Sequence, residues 1–102
     1  MNTLRLSEVC VTPIKPSQGL VAFASFVIND SLYCGSVGIV TRPGGGYRLV
    51  YPSRLVSKRQ LNIFHPISNE IGQAIQSAVI HKYEEVLNHG RNRHDSLDAR
   101  VE

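Results

Sequence analysis

Two long apolar runs, Leu20–Ile28 (LVAFASFVI) and Leu32–Thr41 (LYCGSVGIVT), stand only Asn29-Asp30-Ser31 apart, and this pair constrains the fold more than any other feature. Both runs are short for a buried helix and rich in Val, Ile and aromatic residues, so they read as strands with both faces largely covered. Three polar residues leave no room for a crossover, which makes the two strands antiparallel hairpin neighbours. Gly35 and Gly38 in the second run point to a bulge or a close backbone approach.

The flanking segments attach to this hairpin. Residues 4–14 (LRLSEVCVTPI) form a strand that stops at Pro13 and Pro16, followed by the turn Ser17-Gln18-Gly19. After the turn Pro43-Gly44-Gly45-Gly46, residues 47–51 form a fourth strand with Tyr47, Leu49 and Tyr51 on one face and Arg48 and Val50 on the other. Pro52 cannot donate to a ladder, so the sheet ends there and residues 53–62 are expected to be a loop. Ile71, Ala74, Ile75, Ala78, Val79, Lys82, Tyr83, Val86 and Leu87 then fall on one stripe of a helix, with the Lys82 stem at its edge. Ser68 or Asn69 caps that helix, Glu70 suits its positive end, and Gly90 is the expected stop. The expected fold is therefore α+β, a four-stranded antiparallel meander packed by one C-terminal amphipathic helix. It spans residues 1–90 as a single domain, and the polar residues 91–102 form a mobile tail.

Enzymatic chemistry finds little foothold. His65-Pro66 is the most enzyme-like pair, but no acid or nucleophile accompanies it, and bracing the loop-to-helix junction explains it better. Ser25 and Ser53 lie in no triad or elbow pattern. Gly44-Gly45-Gly46 sits between two strands and lacks the spacing of a phosphate loop or a dinucleotide fingerprint, so it reads as a hairpin tip. Cys10 and Cys34 have no CxxC spacing and read as free, buried thiols, while His81, His89 and His94 complete no metal shell. No enzyme, no cofactor, no metal and no small-molecule substrate are expected. The start lacks a secretory pattern and no apolar stretch is long enough to cross a bilayer, so no membrane role and a cytoplasmic location are expected.

Charge supplies the positive signal. The net charge of +3 is unevenly spread: residues 1–60 hold seven Lys or Arg against two acids, and residues 61–102 hold four against six. Arg42, Arg48, Arg54, Lys58 and Arg59 follow one another with no acid between them, and a polyanion is the commonest neutraliser of such a block. These cations can contact phosphates, and Tyr47 and Tyr51 are placed in sequence to stack bases. No helix carries the Arg, Asn and Gln set that reads base edges, so sequence specificity is expected to be weak.

The same residues resemble the SpoVG family of bacterial septation and sporulation regulators. The resemblance covers residues 6–86, through LSEVCVTPI, LVAFASFVINDSLYCGSVGIV, YRLVYPSR, FHPIS and IQSAVIHKYEEV, with Pro52-Ser53-Arg54 and His65-Pro66 the most diagnostic pieces. It implies a homodimer that binds DNA and RNA and modulates gene expression, cell division or sporulation, without cofactor or catalytic activity. Arg54 matches the family's basic residue after Pro-Ser, and His65 and Pro66 its His-Pro. Leu55, Asn62 and Phe64 depart from the family's usual choices. The family also uses basic residues on and after the helix, where this chain has Lys82, Arg91 and Arg93 beside Glu84 and Glu85. The alternative is a protein-interaction module that recruits a partner through a sheet edge or a helix face.

Overall fold

The computed structural model describes residues 4–100, and side chains for residues 4–89. Strands β1 (Leu6–Ser17), β2 (Leu20–Ile28), β3 (Leu32–Thr41) and β4 (Tyr47–Val50) form one antiparallel sheet in the order β1-β2-β3-β4. A second, two-stranded sheet, β5 (Ser53–Val56) with β6 (Arg59–Asn62), precedes helix α1 (Asn69–Arg100). The α+β meander with one C-terminal helix is as expected.

Turn chemistry fixes the order. Gln18 and Gly19 between β1 and β2, and Asn29 and Asp30 between β2 and β3, all hold positive φ, the pair of left-handed residues that twists a two-residue turn to match its strands. Arg5 reinforces the second turn, because its N–H donates to Asn29 Oδ1 at 2.7 Å and its guanidinium pairs with Asp30.

Two bulges decide which side chains face inward. On β3 the extra residue lies at Gly35-Ser36, where Ser36 has φ 62°, and the resulting change of phase turns Cys34, Val37 and Ile39 all into the core. On β1 it lies at Glu8, with φ 49°, so Leu6, Val9 and Val11 pack inward while Cys10 turns out. Cys10 is thus exposed, contrary to expectation, because plain alternation from Leu6 places it on the wrong face.

The core is one layer of Ala22, Ala24, Phe26, Cys34, Val37 and Ile39 from the sheet against Ile75, Val79 and Tyr83 from α1. Ala22 and Ala24 are small enough for the helix to lie close, and α1 packs chiefly over β1 with a further contact at β4. Each fully buried Phe or Ile contributes about 1.5–3 kcal/mol. The helix is rolled slightly from the expected stripe: Ala74 is exposed, while Ile80 and Gln76 are half-buried, and Gln76 Nε2 donates to the Tyr47 carbonyl at 3.4 Å.

Three boundaries differ from expectation. β1 runs on through Pro13 and Pro16, which an edge strand tolerates because it pairs on one side only. Residues 53–62 are a hairpin, because Pro52 ends β4 but leaves the following residues free to pair with each other. Helix α1 passes through Gly90 to Arg100, since one glycine costs a helix interior only about 1 kcal/mol.

Candidate nucleic-acid interface

The basic block is ordered by the second hairpin. Ser53 pairs with Asn62, Arg54 with Leu61, Leu55 with Gln60 and Val56 with Arg59. Arg54 and Arg59 are therefore diagonal neighbours on one face, about 7–8 Å apart at their Cα atoms. Ser57 (φ 49°) and Lys58 (φ 66°) make the turn, which puts Lys58 at the tip. All three cations are exposed, and neither of the ion pairs among the described residues, Arg5–Asp30 and Lys82–Glu85, involves them. Gln60 Nε2 donates to Ser53 Oγ at 2.6 Å across the opposite face and ties the strands together near their base.

The hairpin makes next to no contact with the main sheet or α1. An isolated two-stranded hairpin is marginal in water. This one exposes apolar surface as well as charge: Leu55 is 68% exposed, and Leu61, Ile63 and Ile67 are exposed after it.

The other predicted cations lie on different elements. Arg42 opens the β3–β4 turn, its N–H donating to the Gly46 carbonyl and its carbonyl accepting from Gly45. Arg48 is exposed on β4 opposite Val40, on the face of the sheet away from α1. Arg91 and Arg93 fall on the last part of α1, where side chains lie outside the described residues.

Tyr47 and Tyr51 are not a stacking platform. Both face α1, with the Tyr47 ring edge-on to Tyr83 at 5.1 Å and the Tyr51 ring edge-on to Phe64 at 5.9 Å. The exposed aromatic rings on the sheet are Phe23 and Tyr33, which share the helix-free face with Val50. Sequence holds a signal for Phe23, since it is out of phase with Ala22, Ala24 and Phe26. Gly38 sits between Phe23 and Val50 across the strands, and a Cβ there would come within 2.9 Å of the Leu20 side chain, so Leu20 fills the notch the glycine leaves.

His65 and Pro66 stand at the entry to α1. His65 is exposed with Nδ1 3.1 Å from the Pro66 carbonyl, and Pro66 lies against Gly72, where an added Cβ would sit 3.5 Å from its ring. Ser68 Oγ accepts from the Ile71 N–H at 3.2 Å and caps the helix. Among the described residues no group of three His, Cys, Asp or Glu side chains is placed to hold a metal ion, and no helix is long and apolar enough to cross a membrane.

Comparison with known proteins decides the family. The SpoVG family model matches residues 4–85, which takes in the whole sheet, the hairpin and the helix to just beyond Tyr83. The chain belongs to the SpoVG family. A protein of Treponema denticola named "Putative septation protein SpoVG" is 30% identical over 82 residues, covering 79% of this chain and 87% of that protein. A Finegoldia magna protein of the same name is 30% identical over 80% of this chain and 76% of its own length. The SpoVG protein of Phytoplasma australiense is 27% identical over 83% of this chain and 88% of its own. The hairpin and both faces of the sheet thus lie wholly inside the segment shared with the family.

Proposed function

We propose that this SpoVG-family chain is a homodimeric, cytoplasmic, non-enzymatic regulator that binds DNA or RNA through its phosphates and acts on gene expression linked to septation or cell division. The observation that supports this most is the β5–β6 hairpin, which holds Arg54, Lys58 and Arg59 away from the body of the protein and clear of any ion pair among the described residues. Three unpaired cations on a protruding ribbon suit a backbone-tracking contact, which releases counterions and carries no base code. Arg48 and Arg42 extend the positive surface toward β4. Self-association is supported by the apolar side chains the monomer leaves in water, on the hairpin and on the helix-free face of the sheet around Phe23 and Val50. The names of the relatives support the link to septation.

A second reading, a module that recruits a protein partner, draws on the same apolar surface and on the open edges of β1 and β4. Binding to random DNA and RNA pools at several salt concentrations, with mass measured by light scattering on the same sample, separates the two. Salt-dependent retention of either pool by a species of twice the chain mass is the expected result. No retention at low salt would leave only the protein partner.

A further inference from the structure

The helix-free face of the four-stranded sheet carries an open hollow of about 310 Å³, bordered by the rings of Phe23 and Tyr33 and by Cys10, Thr12, Ser25 and Ser36. Phe23 is 42% exposed and Tyr33 71%. Strand register assembles this set, because Thr12 stands opposite Phe23 and Cys10 opposite Ser25, while the β3 bulge brings Ser36 alongside. A second hollow of about 250 Å³ shares Phe23 and Ser36 with the first and runs past Val50 to Pro52 and Ser53, where the basic hairpin begins. Arg48 is exposed on the same face, and no acid borders either hollow. The two hollows therefore form one track, leading from the aromatic rings to the base of the cationic ribbon.

The chemistry of the track narrows what can lie in it. A second copy of the chain closing over the first hollow would cover three hydroxyls and a thiol, whereas the centre of an interface between copies is mostly apolar. A free anion finds no cation in the first hollow. A flat ring with donors and acceptors on its edge suits both the aromatic side chains and the hydroxyls, and a chain of phosphates joins it to the hairpin.

We propose that Phe23 and Tyr33 stack the bases of a single-stranded nucleic acid, with Thr12, Ser25 and Ser36 bonding to base edges, while its phosphates run on to Arg48 and the β5–β6 hairpin. This rests on the nucleic-acid reading above and adds to it the strandedness of the ligand. In a duplex the bases are already stacked and paired, so only a single strand can splay them onto a sheet, the mode by which other four-stranded sheets with exposed aromatic rings hold RNA.

Two single strands of about twelve nucleotides test this, an oligothymidylate and an abasic strand with the same phosphates. Each is titrated by anisotropy into the full chain beside a duplex of equal length. The expected result is thymidylate bound at least about fivefold more tightly than the abasic strand, since each stacked base is worth about five- to a hundredfold. Phe23→Leu with Tyr33→Leu, which keeps the surface apolar, should erase that difference and leave duplex binding and its salt slope unchanged. Should the double variant not fold, the comparison of the two strands on the unaltered chain still decides. Equal binding of both strands overturns the stacking site alone and leaves the phosphate contacts standing. Binding of neither strand nor duplex at low salt removes the nucleic-acid reading and the stacking site with it. A folded double variant that is monomeric by light scattering where the unaltered chain is dimeric makes the face an interface between copies, and also overturns the site.

Discussion

Replacing Arg54, Lys58 and Arg59 together with Ala removes the three exposed cations of the β5–β6 hairpin and touches no core residue. Each phosphate neutralised on a duplex contributes about 0.9 to the slope of log affinity against log salt. Loss of three contacts therefore flattens that slope by about 2.7 per bound protomer on duplex, and by about 2.1 on single strands, where each contact contributes about 0.7. Between 50 and 200 mM salt the unaltered chain should then lose about 40-fold more affinity for duplex than the variant does. Fluorescence anisotropy with unrelated sequences measures this, and the loss should be similar for all of them, since backbone contacts carry no sequence code. Arg5→Ala is the control, because that guanidinium is already paired with Asp30 and its removal should leave the slope nearly unchanged. An unchanged slope in the triple variant, with circular dichroism showing an intact fold, would refute the hairpin as the phosphate-binding element.

Lys58→Gly removes a side chain from a left-handed backbone position at φ 66° and should stabilise the hairpin locally by about 1 kcal/mol, read as slower amide exchange in residues 54–61. Its salt slope should nevertheless fall by about 0.9, because the charge is lost. Phe26→Ala empties the centre of the core, where the side chain is fully buried, and should cost about 3–5 kcal/mol in urea unfolding; a cost below about 1 kcal/mol would place the core elsewhere. Burial pushes the Cys34 thiol and the Tyr51 and Tyr83 phenols up from their ordinary values, with smaller contributions from Cys34 on Tyr51 and from Tyr47 on Tyr83. The unfolded chain then loses these protons first, so stability from this source is complete below about pH 8.5, the ordinary thiol value, and declines above it. Thermal unfolding between neutral pH and pH 11 should show that decline, and Cys34→Ala with Tyr83→Phe should make it shallower; an alkaline limb as steep as in the unaltered chain would contradict the assignment.

Much of this fold is legible in local signals. β2 and β3 are bounded as the apolar runs Leu20–Ile28 and Leu32–Thr41 indicate, because their turn residues and their composition agree. The second hairpin is harder to see. Its turn is Ser57-Lys58, with none of the Asn or Gly that normally marks two left-handed residues, and its strands are only four residues long. The exposure of Cys10 and the inward set of Cys34 and Val37 depend on bulges at Glu8 and Ser36, and non-glycine residues at positive φ leave no reliable trace in sequence. Tyr47 and Tyr51 look like stacking residues beside a basic block, yet Tyr47 on β4 and Tyr51 just after it keep the phase that points toward α1.

By itself, then, the sequence determined the strand order, the helix, the presence of a basic block and the family pattern, because each of these rests on neighbours close along the chain. Tertiary structure alone decided that the Arg54–Arg59 segment is a free-standing ribbon and not a loop, and that a cavity remains between the sheet and the start of α1. The ribbon stands free because no other element packs closely on it, whereas the cavity depends on which surfaces the helix covers when it lies across the sheet. That choice is made by the summed burial of Phe26, Ile39, Ile75, Val79 and Tyr83, residues that meet only when the whole chain has folded.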